Sequence, residues 1–331
     1  MSLHSYLANS GAPQSQTFRR RTSCFFEHAV HSRNAGRTAP GMSGTALRVL
    51  SRDAFITAGA FDAPMEVTVP AVELQHAYEG MVAAMRARGR ILVAYSGGVD
   101  SGLVARVAHD AVGGDALAVI ADAESLARRE LEEALDEASE IGIQVKVVRV
   151  SELANDRYVE NPTNRCYFCR QELGAALRPL AADLGYRVIA DGVNRSDLGD
   201  YRPGIQAMNE AGFWHPLVEF GLAKSDVRSL AQRLGLSFHD KPSNACLSSR
   251  IAHQTRITVA LLHQVEAAED YLRSRGFHQV RVRHHGVVAR IEVVPEDIPR
   301  LRSIEEEVAM TLRSIGYERT LIDPNGYRSL G

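Results

Sequence analysis

The sequence lacks several features that would assign it to a broad class at once. Its 331 residues contain no apolar run near the roughly 20 residues that a membrane-spanning helix needs. The formal net charge is only −2, so no strong overall field favours nucleic acid or a membrane surface as partner. Four cysteines, with no export signal ahead of the core, are typical of a reducing compartment. We therefore expect a cytoplasmic protein without membrane or nucleic-acid partners.

Two common phosphate-binding patterns, GxxxxGK[ST] and GxGxxG, are also missing. The chain instead carries SGGVDS at residues 96–101, between the apolar segment ILVAY and a helical pattern. Gly97 and Gly98 permit close approach of a ligand to the main chain, and Ser96 and Ser101 offer hydroxyls, with Ser101 as the predicted helix N-cap. Amides at a strand-to-helix junction favour a bound anion. This setting favours a pyrophosphate-binding loop over a glycine-rich turn without a ligand.

The beginning of the chain has a different composition from the rest. Residues 1–50 contain six arginines and one acid, Glu27, without a sustained hydrophobic period. We predict a disordered tail. An organelle transit peptide and a mis-assigned start, with Met42 or Met65 as the true beginning, are the alternatives. Residues 1–65 are thus treated as an N-terminal extension.

Helical and apolar segments alternate through residues 66–254, which predicts a doubly wound parallel α/β domain. Ligands of such sheets lie beyond the carboxyl ends of the strands. Ser96, Asp122 and Asp191 all follow predicted strands and are expected there. The predicted strands are 91–95, 116–121, 145–150 and 186–190, and the helices are 71–89, 101–112, 125–141, 170–184 and 223–234.

The remaining residues, 255–331, predict a small α+β domain on an antiparallel sheet. Its pattern is a helix over 258–275, two strands, a helix over 299–316 and a last strand, ERTLID. Three arginines alternate with apolar residues in the strands. A solvated sheet face is the preferred interpretation, with a phosphate site and an oligomer contact as alternatives. These residues are Arg281, Arg283 and Arg290.

Three cysteines lie in two segments that suggest chemistry. Cys166 and Cys169 begin a predicted helix in NPTNRCYFC, and Cys246 lies in KPSNACLSSR, where it also begins a predicted helix. Such thiols can hold a [4Fe-4S] cluster with one iron left free. A closed zinc site would need a fourth ligand, such as His215 or His239. Reactive thiols or plain buried cysteines remain open as well.

Five motifs in order resemble the LarE family of the pyrophosphate-loop, or ATP pyrophosphatase, superfamily, whose fold is adenine nucleotide alpha hydrolase-like. The resemblance covers about residues 67–331. Members of that family convert the two carboxylates of pyridinium-3,5-biscarboxylic acid mononucleotide to thiocarboxylates for the nickel-pincer cofactor of lactate racemase. The motifs are SGGVDS, NPTNRCYFC, DGVNRSDLGDYRPG, GLAKSDVRSLAQRLGL and KPSNACLSSR.

The resemblance implies ATP and Mg²⁺, with Asp100 helping to hold the metal ion. It also implies AMP transfer to a substrate carboxylate. One form of the family sacrifices the sulfur of a single cysteine, whereas a three-cysteine form holds a [4Fe-4S] cluster whose unique iron carries sulfide. Cys166, Cys169 and Cys246 match the three-cysteine form, which makes the cluster the favoured interpretation.

Substrate anions require cations near the cysteines, and arginines suit them. Arg202 is the first candidate, Arg250 the second and Arg195 the third. Arg202 has a structural alternative, which is an ion pair with Asp200 that shapes its loop.

Three further residues are candidates for nucleotide, magnesium or substrate contact. Asp191 and Asp122 follow strands, and Asp191 could instead cap a loop. Lys224 resembles phosphate-binding lysines of related enzymes, but a solvated helix start is the alternative for it. Trp214 and His215 are predicted core residues.

Two other functions compete with this reading. A tRNA thiolase of the same superfamily would need a basic RNA surface, which the balanced charge disfavours. A zinc-stabilised nucleotide-binding protein would turn over no ATP. The resemblance also implies a homo-oligomer, and the sulfide donor is not identified by the sequence.

We expect deletion of residues 1–64 to leave activity intact, because the periodic core pattern starts only near Val67. The truncated and full-length chains can be compared by pyrophosphate release from ATP. Loss of turnover in a truncated chain that is still folded would contradict the assignment of this segment as an extension.

Overall fold

The computed structural model describes residues 71–199, 202–243 and 245–327. The predicted extension over 1–65 lies outside these ranges. The first part of the described chain alternates helices with four strands, β1 to β4. The strands are Ile91–Ala94, Ala116–Asp122, Gln144–Arg149 and Val188–Ala190; helices α1 to α8 are Ala71–Arg88, Val99–Val112, Arg128–Ile141, Asp156–Val159, Arg165–Asp183, Pro203–Glu210, Pro216–Glu219 and Lys224–Arg233.

The four strands form one parallel sheet in the order β3-β2-β1-β4. Alternation along β1 places helices on both of its faces. Ile91 and Val93 pack in a core that includes α1, α2 and α8, whereas Leu92 packs on the other side against α5 and α6. The predicted doubly wound α/β fold is confirmed, and its strands point their carboxyl ends at one edge.

Strand β3 is more exposed than the other three strands of the parallel sheet. Its residues are exposed or half-buried, and Val147 is 43% exposed. Among the described strands, β3 pairs only with β2 and forms one margin of the sheet. A marginal strand has fewer neighbours to cover it, which explains its exposure.

The later part of the described chain forms a second sheet in the order β5-β6-β7. Strands β5 and β6 are antiparallel, but β7 runs parallel to β6, so the prediction of an antiparallel sheet was wrong for the last strand. Two helices lie between β6 and β7 and supply the crossover that a parallel pair needs. These elements are α9 Val259–Ser274, β5 Val280–His285, β6 Val288–Val293, α10 Ile298–Ser303, α11 Glu305–Ile315 and β7 Arg319–Ile322.

The single helix predicted over 299–316 is two helices in the structure. Ile304 leaves helical geometry, with φ −120° and ψ 18°, between α10 and α11. Its side chain packs against the core of the second sheet together with Leu301 and Val308. The break therefore keeps apolar residues of both helices on that core.

The face of the second sheet that carries the arginines is covered. Arg281 is 5% exposed and donates to the Ser243 carbonyl at 3.5 Å, while Arg283 donates to the Ser249 carbonyl at 3.1 Å. The solvated face predicted for these two arginines was therefore wrong, because the chain around Cys246 lies over them. The described residues belong to one compact unit, and a domain boundary at 254 remains a prediction.

A buried ion pair joins the Cys246 segment to α9. Arg250 donates from Nε to Glu269 Oε1 at 2.8 Å and from Nη2 to Oε2 at 3.1 Å, with both side chains at most 1% exposed. Burial opposes the charge of Glu269, but Arg250 and Arg273 outweigh it and lower the pKa of this carboxyl. Arg250 also donates to the Cys246 carbonyl at 3.0 Å. The pair therefore fixes the turn that follows Cys246.

No helix of the described residues is long and apolar enough to cross a membrane.

We predict that Glu269→Gln destabilises the protein by about 3 kcal/mol or more, because it leaves Arg250 buried without a counter-charge. Urea unfolding at neutral pH measures the loss. Since the pKa of Glu269 is lowered by folding, its contribution is complete above the unfolded pKa of about 4.3 and shrinks as the pH falls further. The control is Asp270→Asn, whose carboxylate is 50% exposed, with an expected loss under about 1 kcal/mol. Equal losses in the two variants would contradict the role given to the buried pair.

Candidate active site

A cavity of about 310 Å³ lies at the carboxyl ends of β1 and β2. Such an edge is where ligands of parallel sheets bind. The wall brings together the phosphate-loop candidates and two of the three cysteines. Predicted site residues on this wall are Ser96, Gly97, Gly98, Asp100, Cys169, Lys224 and Cys246.

The loop after β1 has a backbone that requires glycine. Gly97 has φ +69°, and a Cβ there would lie 2.6 Å from the Cβ of Ala134 on α3. Among the described residues, no protein group accepts a hydrogen bond from the amides of Gly97 and Gly98. Free amides ahead of α2 suit the oxygens of a phosphate chain.

Ser101 was predicted as the N-cap of α2, and this was wrong. The helix begins at Val99 with Gly98 as the N-cap, and Ser101 lies inside the first turn. Its hydroxyl donates to the Gly98 carbonyl at 3.1 Å and accepts from the Ser96 amide at 3.2 Å. Ser101 is buried, and its hydroxyl holds the loop through these two hydrogen bonds.

Asp100 and Lys224 lie together on the wall of the cavity. The Lys224 ammonium donates to Asp100 Oδ2, and Asn194 Nδ2 donates to Asp100 Oδ1 at 3.3 Å. These contacts join α2, the loop after β4 and the start of α8. A carboxylate here is a suitable Mg²⁺ ligand, and that role stays a prediction.

Asp122 ends β2 and Asp191 follows β4, but neither residue lines the cavity. The Asp191 Oδ1 atom lies 2.6 Å from His215 Nδ1, while Asp191 Oδ2 is buried without a hydrogen-bond partner. His215 Nε2 in turn lies 3.0 Å from Asn209 Oδ1, so both ring nitrogens are engaged away from the cysteines. Asp122 forms an ion pair with Arg128 at 2.7 Å. Their predicted ligand contacts therefore remain predictions.

The cysteines approach the cavity from two segments. Cys166 and Cys169 lie in the first turn of α5, with Cys166 exposed. Burial raises the pKa of the Cys169 and Cys246 thiols, and the Glu152 carboxylate raises both further. Cys246 does not begin a helix as predicted but precedes a short 3₁₀ turn. Among residues 71–199, 202–243 and 245–327, no three His, Cys, Asp or Glu side chains are arranged to hold a metal ion.

The candidate arginines take different positions. Arg202 precedes α6, is 45% exposed and forms an ion pair with Asp197 at 2.6 Å; its predicted partner Asp200 lies outside the described residues. Arg195 is exposed in the same loop. Arg250 does not line the cavity, because Glu269 and main-chain carbonyls take up its donors.

Helix α6 contacts the start of α5 at a glycine. A Cβ on Gly204 would lie 3.1 Å from Arg170 Cγ and 3.4 Å from the Cys166 carbonyl oxygen. Only a small residue allows α6 to lie so close to the start of α5. The start of α6, just after Arg202, therefore contacts the helix that carries Cys166 and Cys169.

Several known proteins are similar to this chain in sequence. A family model described as NAD synthase matches residues 72–178. An uncharacterized protein of Synechocystis is 48% identical over 242 residues, covering 72% of this chain and 90% of that protein. The pyridinium-3,5-bisthiocarboxylic acid mononucleotide synthase of Lactiplantibacillus plantarum is 38% identical over 250 residues, covering 75% of this chain and 91% of the synthase. The chain belongs to the LarE family.

Membership of the LarE family has direct consequences for the class of protein. The chain is an enzyme of the sulfurtransferase type with a pyrophosphate-loop domain, and the superfamily supports ATP as its nucleotide. A further relative, an uncharacterized protein of Methanocaldococcus jannaschii, is 27% identical over 240 residues, or 72% of this chain and 91% of that protein.

Sequence reasoning missed several residues of the site. Lys241, Glu130, Glu152 and Arg170 line the cavity as well. Lys241 opens the KPSNACLSSR motif, so the motif itself carried a signal for it. Glu130 and Glu152 have no such signal, because a single glutamate on a surface-type pattern predicts only solvation.

We expect iodoacetamide to modify Cys166 at least about tenfold faster than Cys169 or Cys246 in metal-free protein, because thiolates react and burial raises the pKa of the latter two. Peptide mass spectrometry over a time course measures each rate. A Cys24→Ser background removes the thiol outside the described residues. The three rates should converge in urea, and equal rates in the folded protein would contradict the cavity positions.

Proposed function

We propose that this enzyme is an ATP-dependent sulfurtransferase that adenylates a carboxylate of pyridinium-3,5-biscarboxylic acid mononucleotide and converts it to a thiocarboxylate. One observation carries the proposal: a loop suited to pyrophosphate and the thiols of Cys169 and Cys246 line the same cavity. The 38% identity to a synthase named for the bisthiocarboxylic product supports the substrate class. A nucleotide binder without transfer chemistry would not require thiols at the phosphate loop.

The first half of the reaction is AMP transfer. A substrate carboxylate oxygen attacks the α-phosphorus of ATP, the bond to the bridging oxygen breaks, and pyrophosphate leaves with that electron pair. The amides of Gly97 and Gly98 receive the leaving pyrophosphate. Lys224 supplies a positive charge beside it, and Asp100 is positioned to hold Mg²⁺.

The second half replaces oxygen by sulfur. An acyl adenylate is activated because AMP is a far better leaving group than oxide. Sulfide sulfur attacks the acyl carbon, the carbon–oxygen bond to AMP breaks, and AMP departs with the electron pair. The product is a thiocarboxylate, and no oxidant or reductant is consumed. Arg202, on the loop beside the cysteine helix, is the proposed contact for a substrate carboxylate or phosphate.

The three thiols near the cavity are the type of donor that an iron–sulfur cluster takes. Two thiols line the cavity, and Cys166 lies in the same first turn of α5 as Cys169. A [4Fe-4S] cluster held by Cys166, Cys169 and Cys246 would supply a sulfide on its fourth iron. The thiols are not arranged as a ready ligand set, so loading would have to draw the α5 start and the Cys246 turn together. A role of one cysteine as the sulfur donor itself is the competing source.

The test uses protein reconstituted anaerobically with iron and sulfide and then supplied with ATP, Mg²⁺, sulfide and the biscarboxylate mononucleotide. Mass spectrometry of the small molecules should show oxygen replaced by sulfur, together with AMP and pyrophosphate. An unchanged substrate alongside sulfur found in added tRNA would overturn the proposal in favour of RNA thiolation.

We expect Cys246→Ala to lower sulfur transfer at least about a hundredfold while ATP binding, measured by calorimetry, stays within about twofold of wild type. The two readouts separate the thiols from the phosphate loop. Cys24→Ser is the matched control and should transfer sulfur at the wild-type rate. Wild-type sulfur transfer by Cys246→Ala would remove the three-cysteine arrangement from the mechanism.

A further inference from the structure

Lysine is scarce in this chain, and two of its few lysines lie at the cavity. Only three of the 38 basic Lys and Arg residues are lysines. Lys146 is exposed on β3, whereas Lys224 and Lys241 both line the cavity. Lys224 contacts Asp100 of the phosphate loop. Lys241 also lies at the cavity, but the proposed reaction gives it no role.

Three acceptors surround the Lys241 ammonium. It donates to the Gly97 carbonyl at 3.0 Å and to Glu137 Oε1 at 2.6 Å, and Glu133 Oε2 lies 3.2 Å away. The side chain is only 15% exposed. An ammonium group has three hydrogens, and these acceptors match that number. The contact is therefore specific and largely shielded from water.

The Glu137 carboxylate also contacts Tyr95, the residue before the loop. Tyr95 donates from its hydroxyl to Glu137 Oε2 at 3.3 Å, and burial together with Glu137 raises the pKa of Tyr95, which keeps the hydroxyl a donor. Tyr95 and Gly97, the residues on either side of Ser96, are thus linked through Glu137 and Lys241. The start of the phosphate loop is held at both of its sides.

The bond to Gly97 sets the direction of an amide. A trans peptide is planar, so its carbonyl and its N–H point in opposite directions. Lys241 holds the Gly97 carbonyl toward α3, on the side of Glu133 and Glu137. The Gly98 N–H of the same peptide must then point away from α3. No group of the described protein accepts from that amide, and Gly98 lines the cavity.

We propose that Lys241 is a positioning residue that orients the Gly97–Gly98 peptide so that the Gly98 amide can bind the β- and γ-phosphates of ATP. Lys241 acts through the loop and need not touch the nucleotide. It also opens the segment that leads to Cys246, so the same contact ties the thiol-bearing segment to the phosphate loop. This inference rests on the proposed use of ATP by this site.

The experiment compares MgATP and AMP binding by calorimetry, because AMP lacks the phosphates that the Gly98 amide would hold. Lys241→Met should raise the Kd for MgATP by about tenfold or more and leave the Kd for AMP within about twofold. Lys146→Met is the matched control and should bind both nucleotides as wild type does. A purely structural defect would weaken both nucleotides alike and would overturn the proposal.

A combined variant separates orientation from charge. Lys241→Met alone leaves Glu133 and Glu137 near the phosphates without their cation, so repulsion could weaken ATP binding by itself. In Lys241→Met/Glu133→Gln/Glu137→Gln this repulsion is removed, and we expect MgATP binding to stay weak. Recovery of wild-type affinity would overturn the orienting role. The triple variant also carries the test if the single variant does not fold. Wild-type protein that binds no ATP would instead overturn the proposed function itself.

Discussion

The contact between the phosphate loop and helix α3 is the constraint on which the rest of the site depends. Gly97 passes so close to Ala134 that a Cβ has no room, and its positive φ turns the chain back toward the cavity. This approach places the loop carbonyl within reach of Lys241. It also frees the following amides for a ligand. If Gly97 lay farther from Ala134, the same residues would not form a loop with amides available to a phosphate.

From that contact the thiols acquire their position. The segment that begins at Lys241 leads to Cys246, and beyond it Arg250 is held by Glu269 on α9. The segment is thus fastened to the phosphate loop at one end and to the second sheet's helix at the other. Because Arg281 and Arg283 also hold carbonyls of this segment, the second sheet supports the site without adding reacting groups. The thiols of Cys169 and Cys246 and the phosphate loop line one cavity in this way.

Much of this architecture follows from local pattern. The alternation of apolar strands and amphipathic helices was enough to predict the parallel sheet, and SGGVDS was enough to predict where the loop lies. The role of Ser101 was misjudged because the helix has its N-cap at Gly98, three residues before the serine. The direction of β7 was misjudged because period-two alternation does not reveal strand orientation.

Other features depend on partners that are distant in sequence. The KPSNACLSSR motif gives no sign that Arg250 has a partner within the protein. That partner, Glu269, lies on the next helix. A single glutamate in a helical pattern predicts only an exposed side chain. Lys241 likewise pairs with Glu133 and Glu137, which lie more than one hundred residues earlier in the chain. Pattern within a short window cannot show such pairs, since burial of a charge is decided by packing across the fold.

The distance along the chain between the two halves of the cavity also bears on how the protein is made. Synthesis proceeds from the N-terminus, so Ser96 and the thiols of α5 leave the ribosome well before Cys246 and its anchor Glu269. Until α9 has been translated, the turn after Cys246 lacks the carboxylate that holds Arg250. The turn that follows Cys246 is therefore fixed only in a chain in which α9 has already been translated.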